Sequence, residues 1–258
     1  MHLEITIEIM LIQMFQKFPV DCPHPDLFEQ LSTSIQFENI TTGRKGTNLV
    51  DNQDGLIPIV RTTTIYNQPA QKFQPIHYEI IENIKQISQI QGLKLNNALV
   101  EIYDPEYSKM GYHSDQSLDL AQDSYICVFS CYQNPNSKGQ RLLVIQDKKT
   151  KICSEIKLEH NSVVIFSTET NKNFVHKIIL EKNRSENKWL GITFRLSKTL
   201  IQFVNLIPVI YPSYKVLQMA TKDEIKELRK LKGMENIQID FDYPEINYTI
   251  SPSDLLPC

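Results

Sequence analysis

Seven short apolar segments follow one another between residues 98 and 196, and polar or turn-forming residues separate each from the next. They are ALVEIY, SYICVFSCY, RLLVIQD, EIKL, SVVIF, FVHKIIL and WLGITFRL. Segments of this length, rich in β-branched residues and spaced by turn signals such as NPNSKG, are typical of antiparallel strands. The pattern therefore predicts an antiparallel sandwich or a small barrel.

Helical patterns flank this β-rich region on both sides. An apolar stripe of isoleucines predicts a helix over residues 75–91, with Pro75 in its first turn and Gly92 just past its end. Further along the chain, Thr221 and Glu224 have the spacing of a capping box and predict the start of another helix.

The remaining segments have weaker patterns. Residues 1–20 alternate weakly and predict a strand or a short helix. Residues 21–54 look irregular, with one short strand near residues 34–38, and the β-branched run over residues 60–66 predicts another short strand. TLIQFVNLIPVI, after the last of the seven segments, is also strand-like.

Charge is unevenly distributed along the chain. With 27 Lys and Arg against 30 Asp and Glu, the net charge of −3 excludes a strongly basic nucleic-acid-binding protein. Residues 99–125 nevertheless hold six acids against one base, and residues 141–198 hold twelve bases against six acids. These stretches are either solvated faces or, as the sharper interpretation, a cation site beside a surface that attracts anions.

The cysteines and the N-terminus bear on the cellular compartment. The five cysteines lack the spacing of a disulfide framework, so we expect reduced thiols rather than a disulfide or a metal pair. The apolar N-terminus carries Glu4 and Glu8, which argues against a secretory signal or a membrane span. We therefore expect an intracellular, cytoplasmic protein with no membrane partner, a nuclear location being the alternative.

One constellation of residues points to metal chemistry. His113 and Asp115 are two positions apart in an extended segment, so their side chains point the same way and can hold one ion. His176 lies in a later strand that a closed sandwich brings opposite them. Two imidazoles and one carboxylate form the facial triad that leaves positions open on Fe(II). We expect no catalytic side chain beyond these ligands. Arg195, on the next strand, is suited to the distal carboxylate of a 2-oxo acid, because a guanidinium binds carboxylate bidentately.

Three stretches resemble the AlkB-like branch of the Fe(II)/2-oxoglutarate dioxygenases: ALVEIYDPEYSKMGYHSDQSLDL, SVVIFSTETNKNFVHKI and WLGITFRLSKT. The resemblance implies an α+β, mainly β fold with a double-stranded β-helix (jelly-roll) core. It implies that His113, Asp115 and His176 are iron ligands, and that Arg195 and Tyr103 lie near 2-oxoglutarate.

Two positions depart from the pattern of that branch. The branch usually has Asn two residues before the Tyr, where this chain has Glu101. It usually has a second Arg six residues before the strand Arg, where this chain has Trp189. We therefore expect Arg195 to anchor the co-substrate alone, with Lys188 and Lys177 as less favoured helpers.

The resemblance also divides the chain into three parts. Residues 95–199 are the β-helix core, residues 1–94 an N-terminal extension with a lid-like segment and the flanking helix, and residues 200–258 a C-terminal extension packed on the core. RTTTIYNQPAQKFQP resembles the substrate-facing lid, so Tyr66 and Arg61 are candidate substrate contacts. The alternative is that Tyr66 packs in the core and Arg61 pairs with an acid.

The implied function is hydroxylation or oxidative demethylation that depends on Fe(II), with 2-oxoglutarate and O₂ as co-substrates. An alkylated nucleic acid is the first candidate substrate, and a protein or peptide side chain is the alternative within the same chemistry. Two other classes stay open: a cupin-like metal protein that uses no 2-oxo acid, and a non-catalytic β-sandwich binding module.

Overall fold

Two facing sheets of mainly antiparallel strands form the core of the computed structural model, which describes residues 14–22, 24–108, 110–137, 139–181 and 186–258. The expected strand or short helix over residues 1–20 lies partly outside these residues.

The strands and helices are numbered in chain order. The strands are β1 (Gln16–Pro19), β2 (Glu38–Thr41), β3 (Arg44–Val50), β4 (Ile57–Pro58), β5 (Gln71–Lys72), β6 (Asn97–Tyr103), β7 (Tyr125–Tyr132), β8 (Arg141–Asp147), β9 (Cys153–Leu158), β10 (Ser162–Ser167), β11 (Phe174–Leu180), β12 (Trp189–Arg195), β13 (Leu200–Val204), β14 (Ile207–Tyr211), β15 (Lys215–Val216), β16 (Gln218–Met219) and β17 (Tyr248–Thr249). The α-helices are α1 (Leu27–Thr33), α2 (Pro75–Ser88), α3 (Thr168–Asn173) and α4 (Lys222–Glu235), and a 3₁₀ turn spans Pro252–Leu255.

The larger sheet has the strand order β1-β10-β7-β12-β6-β3-β2, with β5 added alongside β3. The smaller sheet has the order β11-β8-β9 and faces the larger one. Strand pairs in both are antiparallel except for β3 with β5. The fold is a jelly roll with helices at its flank, so the predicted fold class is confirmed.

Alternation along each strand gives the larger sheet two different faces. The outer face presents apolar side chains such as Val100 and Ile192, which pack with Leu31 of α1 and with Ile80 and Ile84 of α2. These contacts explain the isoleucine stripe of α2, because side chains three and four residues apart lie on one helical face. The inner face packs against the smaller sheet, and the cavity described below opens between the two sheets.

The predicted strands and helices of the β-rich region and its flanks are present. Each of the seven apolar segments is a strand, from β6 to β12. Helix α2 begins at Pro75 as predicted, and it ends before Gly92 because Gln89 takes the left-handed cap conformation, with φ 54°. The capping box of Thr221 and Glu224 begins α4.

The prediction of irregular structure over residues 21–54 is wrong in two places. Helix α1 and strand β3 both lie there, and β2 begins at Glu38, at the end of the strand expected near residues 34–38. Strand β3 reads RKGTNLV, which lacks a clear apolar alternation. It becomes a strand because β6 satisfies its backbone along its whole length, which is a tertiary effect.

The β-branched run over residues 60–66 is extended but pairs with no strand. Its backbone donors bind side chains instead: the Arg61 N–H donates to Asp119 Oδ2 at 2.6 Å, and the Tyr66 N–H donates to Ser251 Oγ at 3.2 Å. The prediction of a strand here is therefore wrong, because side chains distant in sequence take the donors that a neighbouring strand would have used.

The C-terminal residues add small elements beside the core. TLIQFVNLIPVI is a hairpin of β13 and β14 rather than one strand, because Asn205 and Leu206 take positive φ values of 51° and 67° and form a two-residue turn. Helix α4 packs through Leu228 and Leu231 against Phe241. No helix among the described residues is long and apolar enough to cross a membrane.

Candidate metal centre

The structure brings together the three residues that the sequence predicts as metal ligands. His113 pairs with His176 of β11 through two backbone hydrogen bonds of 2.9 and 2.7 Å. Asp115 extends from the same segment as His113, and one ligand atom from each of the three side chains lies within 4.8 Å of the others. The short bridge between the two histidine backbones therefore sets the spacing of their imidazoles.

Hydrogen bonds hold the backbone on both sides of Asp115. The Asp115 N–H donates to Asn171 Oδ1 at 2.8 Å, and Asn171 Nδ2 donates to the Asp115 carbonyl at 2.7 Å. Ser114 Oγ donates to the carbonyl of Phe174 at 2.8 Å. Asn171 is not among the residues predicted from the sequence, since an amide in a short polar stretch gives no local signal of this role.

Burial and neighbouring charges set the protonation states of these three side chains. Burial lowers the pKa of His176 to about 3 and also lowers the pKa of His113, so both imidazoles are neutral at pH 7. Burial opposes ionisation of Asp115, but Arg195 and the two histidines outweigh it and lower the pKa of Asp115 to about 2. Neutral imidazole nitrogens and an ionised carboxylate are the forms that bind a divalent metal.

The donor set fits Fe(II). Two imidazoles and one carboxylate on one side of an ion form a facial triad, and the other side is left for additional ligands. In this chain the open side adjoins a cavity of about 260 Å³, which His113, Asp115 and His176 help to line. A cavity of this size suits a small organic acid rather than a large ligand.

Arg195 lies beside the metal ligands. Its Nε and Nη2 donate to the two carboxylate oxygens of Asp115 at 3.3 and 3.2 Å. Its side chain is 6% exposed and lines the cavity. The sequence predicts that Arg195 anchors the distal carboxylate; in the structure its guanidinium lies at the metal end of the cavity, with Asp115 as its ion-pair partner.

Another arginine, Arg44 of β3, lines the same cavity. In the register of the larger sheet, Arg44 pairs with Tyr103, and Tyr103 pairs with Trp189. Directly paired residues point to the same face of a sheet. Arg44 thus lies in the same cross-strand row as Trp189, the position where the AlkB-like pattern has its second arginine.

Arg44 forms a small network at this end of the cavity. Its Nε and Nη2 donate to Glu101 Oε1 at 2.6 and 2.5 Å, and Tyr103 Oη donates to Glu101 Oε2 at 2.6 Å. Its guanidinium also lies over the ring of Tyr107, 5.7 Å from the centroid. Arg44 is not among the residues predicted from the sequence, because it lies in the stretch predicted to be irregular.

Trp189 occupies the space beside Tyr103, with ring centroids 4.9 Å apart. A Cβ on Gly191 would lie 2.0 Å from the Trp189 ring, so Gly191 leaves room for the indole. The two departures from the family pattern are therefore both buried: Glu101 lines the cavity, and Trp189 packs against Tyr103, which also lines it.

The candidate substrate residues of the lid-like segment are buried. Arg61 is 5% exposed; its Nη2 donates to Asp119 Oδ1 at 2.7 Å and its Nη1 to the carbonyl of Ile246 at 2.8 Å. Tyr66 is 2% exposed. The expectation that they contact a substrate is corrected, and the alternative that Tyr66 packs in the core and Arg61 pairs with an acid matches the structure. Residues 62–64 line the cavity instead.

The basic stretch over residues 141–198 is less accessible than its composition suggests. Of the bases that the structure describes in this stretch, three are buried: Arg141, Lys148 and Arg195. The two lysines suggested to help bind the co-substrate have other partners. Lys188 Nζ lies 3.5 Å from Asp104 Oδ1, and Lys177 Nζ lies over the ring of Tyr112. Neither of these two lysines lines the cavity. Exposed bases of this stretch include Lys149, Lys151, Lys157 and Lys198.

Two further cavity residues come from the C-terminal part of the chain. Lys232, in α4, and Asn236, directly after it, both line the cavity beside the metal ligands. The helix is predicted from the sequence but a role for these two residues is not, because a lysine and an asparagine at a helix end have the pattern of ordinary surface residues.

A family comparison agrees with this geometry. Residues 26–197 match the family model described as the 2OG-Fe(II) oxygenase superfamily. Among solved structures, the chain is similar to the one titled "The structure of OsALKBH1". That similarity has 16% sequence identity and a TM-score of 0.41, and it covers 59% of this chain and 78% of the other. A comparison with curated proteins finds no match.

Proposed function

Because the chain belongs to the 2OG-Fe(II) oxygenase superfamily, we propose that His113, Asp115 and His176 hold the Fe(II) on which its oxygenase activity depends. The convergence of their ligand atoms within 4.8 Å at a cavity carries this proposal. Family membership decides against the cupin-like metal protein and the non-catalytic binding module. The enzyme is a dioxygenase with 2-oxoglutarate and O₂ as co-substrates.

The protein and the metal contribute differently to the chemistry. When bound, Fe(II) with 2-oxoglutarate and O₂ supplies oxidation of a substrate C–H bond, releasing succinate and CO₂, and formaldehyde where the carbon is an N-methyl group. The chain supplies the ligand geometry, through the His113–His176 bridge and the Asn171–Asp115 pair. Apolar cavity residues such as Val128 and Leu143 exclude water from the site.

Arginines lie at both ends of the region where we place 2-oxoglutarate. Arg195 lies at the metal end, against Asp115, and we propose that it faces the carboxylate that approaches the metal. At the other end, Arg44 would hold the distal carboxylate, and Tyr103, which donates its hydroxyl proton to Glu101, lies beside it. Glu101 engages the Nε and Nη2 atoms of Arg44, so other N–H donors of the guanidinium remain for a carboxylate.

Arg44 thus takes the place of the arginine that the AlkB-like pattern has at position 189. The row Arg44–Tyr103–Trp189 crosses three neighbouring strands, so a guanidinium from β3 reaches the wall that a side chain from β12 would otherwise supply. The cavity charges agree with a dicarboxylate. Among the described residues, three cations (Arg44, Arg195 and Lys232) line it against two carboxylates (Glu101 and Asp115), before the metal adds its own charge.

We place the chain in the AlkB-like branch on the strength of its sequence resemblance, and we propose an alkylated nucleic acid as its substrate. The exposed side chains of Lys149, Lys151 and Lys157 can meet phosphates. The burial of Arg61 and Tyr66 removes the two base contacts expected from the sequence, so base recognition falls to other residues. The free thiols of the five cysteines support our prediction of an intracellular, cytoplasmic location.

Succinate release tests this assignment with methylated oligonucleotides and methylated peptides side by side, with the Asp115→Ala variant as the inactive control. We expect succinate and formaldehyde with a methylated oligonucleotide and none with the variant. Turnover with peptides alone would overturn the nucleic-acid proposal in favour of the peptide alternative. Absence of turnover with both would contradict both substrate classes.

A further inference from the structure

The end of α4 packs against the segment that carries two of the three metal ligands. Residues 113–117 hold His113 and Asp115, and the side chains of Lys232, Glu235 and Asn236 reach this segment from the C-terminal part of the chain. Family similarity spans residues 26–197, so α4 lies outside the matched region.

Ser114, which lies between the two ligands, is held at both of its backbone polar atoms. Its N–H donates to Asn236 Oδ1 at 2.9 Å, and its carbonyl accepts from Lys232 Nζ at 2.6 Å. The peptide planes on either side of Ser114 belong also to His113 and Asp115. Fixing both planes therefore sets the directions in which the two ligand side chains leave the backbone.

Glu235 extends these contacts to the end of the segment. Its Oε1 accepts from the N–H and the hydroxyl of Ser117, at 2.8 and 2.7 Å. Its Oε2 accepts from Lys232 Nζ at 3.2 Å and from Tyr243 Oη at 2.6 Å. Lys148 Nζ donates to the Glu235 carbonyl at 2.7 Å and so ties the helix end to the turn after β8.

Burying charged side chains at the end of α4 costs desolvation free energy. The geometry that these side chains provide explains why they are present. Lys232 is 8% exposed and Glu235 is 5% exposed, and charged side chains are rarely so buried without partners. Apolar residues at the same places could pack the helix at no desolvation cost. They could not bind the Ser114 backbone, whereas Lys232 and Asn236 do so and also face the cavity.

We propose that the last turn of α4 is part of the metal centre, with Lys232, Glu235 and Asn236 as positioning residues that hold residues 113–117 in metal-binding geometry. The inference rests on the proposed function, because it takes His113 and Asp115 as metal ligands. It means that the residues matched by the family model need the C-terminal part of the chain to complete their metal site.

The test uses full-length variants and Mn(II) as the probe metal. Asn236→Ala removes the acceptor for the Ser114 N–H, and Lys232→Met removes the donor to its carbonyl while keeping an apolar stem. Asn236→Asp keeps the acceptor and serves as the rescue. Lys226→Met, on the same helix with a 77% exposed side chain, is the matched control.

Calorimetric titration with Mn(II) should give a dissociation constant about 10- to 100-fold higher for Asn236→Ala and Lys232→Met. Asn236→Asp should restore most of the affinity, and Lys226→Met should match the parent protein. Hydrogen exchange of the metal-free protein adds a readout that needs no metal. The Ser114 amide should exchange faster in Asn236→Ala than in the parent.

The outcomes separate the two proposals. Failure of the parent protein to bind Mn(II) would contradict the proposed function. Folded Asn236→Ala and Lys232→Met variants that bind Mn(II) with parental affinity would overturn the role of α4, whatever the parent does with substrate. If Asn236→Ala unfolds, Lys232→Met and the exchange rates of Asn236→Asp decide the question by the same criteria.

Discussion

Individual side chains determine the protonation state and the charge of the candidate metal site. His113 and His176 are held neutral by burial, and Asp115 is held ionised chiefly by Arg195 despite its burial. A metal arriving at pH 7 therefore displaces no proton from the three ligand atoms. Arg195 and Arg44 share a cavity but have different partners, Asp115 and Glu101, so their effects on metal and co-substrate are separable.

Substituting each arginine by Met tests this separation. Arg44→Met should weaken 2-oxoglutarate binding to the Mn(II)-loaded protein by about 10- to 100-fold, because a charged hydrogen bond is lost. It should leave Mn(II) affinity nearly unchanged. Arg195→Met should weaken Mn(II) binding as well, because it leaves Asp115 without its cation. Both dissociation constants can be measured by calorimetry.

Removal of Arg44 also leaves the buried Glu101 without its cation, so a matched double variant is needed. Arg44→Met/Glu101→Gln removes both charges and should still bind 2-oxoglutarate weakly. Full 2-oxoglutarate affinity in the double variant would mean that Arg44 does not anchor the co-substrate. The anchoring would then return to Arg195, as the sequence alone predicts.

His77 makes stability depend on pH away from the metal site. Its Nδ1 accepts from the Gln74 N–H at 2.9 Å, and burial lowers its pKa from 6.5 to about 4. Below pH 6.5 the unfolded chain binds a proton that the folded protein excludes, so stability falls as the pH drops from 6.5 towards 4. The loss from this group is of order 3 kcal/mol at full effect.

Urea unfolding of the parent protein and of His77→Gln between pH 7 and pH 4.5 measures this contribution. The parent should lose more unfolding free energy on acidification than the variant, because glutamine does not titrate. The other histidines are common to both proteins and cancel in the comparison. Parallel curves would show that His77 does not set this pH dependence.

The strands and helices determine where the side chains of the cavity and the metal site lie. Strand β12 puts Trp189, Gly191, Thr193 and Arg195 on its inner face, and the last two of these line the cavity. Helix α4 begins at a capping box and ends on the ligand segment, so one element links the cap of Thr221 to the metal site.

Gly191→Ala tests the packing on β12. The added Cβ would meet the Trp189 ring at 2.0 Å, and the indole is buried between the sheets, so overpacking should cost about 1–3 kcal/mol of unfolding free energy. Trp189→Leu should relieve the clash, so the double variant should lose less than the sum of the two single losses. Urea denaturation of all four proteins completes this double-mutant cycle. Additive losses would contradict the proposed contact.

At the scale of the whole molecule, the metal site joins parts of the chain that are far apart in sequence. His113 and Asp115 lie between β6 and β7, His176 lies on the smaller sheet, Arg195 lies on the larger sheet, and α4 adds its contacts from outside the two sheets. A ligand that binds only this assembled arrangement stabilises the folded state by mass action.

Fe(II) and 2-oxoglutarate together should therefore raise the melting temperature under anaerobic conditions. At ligand concentrations about 100 times the dissociation constant, the gain is about 2.7 kcal/mol, or roughly 5–10 °C for a protein of this size. Asp115→Ala should lose the Fe(II)-dependent part, and a chelator should reverse the shift in the parent protein. An unchanged melting temperature with both ligands present would contradict the assignment.

The sequence by itself determined the elements whose signals are local. Seven apolar runs with turns between them became strands, the isoleucine stripe became α2, and the capping box became the start of α4, because periodicity and capping act within a few residues. The spacing of His113 and Asp115, with His176 on a later strand, was also enough to propose the metal ligands, since an extended backbone alternates its side chains.

Only the tertiary structure decided which side chains meet across the sheets. Arg44 reaches Glu101 because β3 pairs with β6, Arg195 turns to Asp115 rather than to the distal wall, and Arg61 is paired with Asp119. The contacts of Lys232 and Asn236 with Ser114 join residues more than a hundred positions apart. Such contacts depend on strand register and on how the two sheets pack together. Both result from packing energies summed over the whole core rather than from any local pattern.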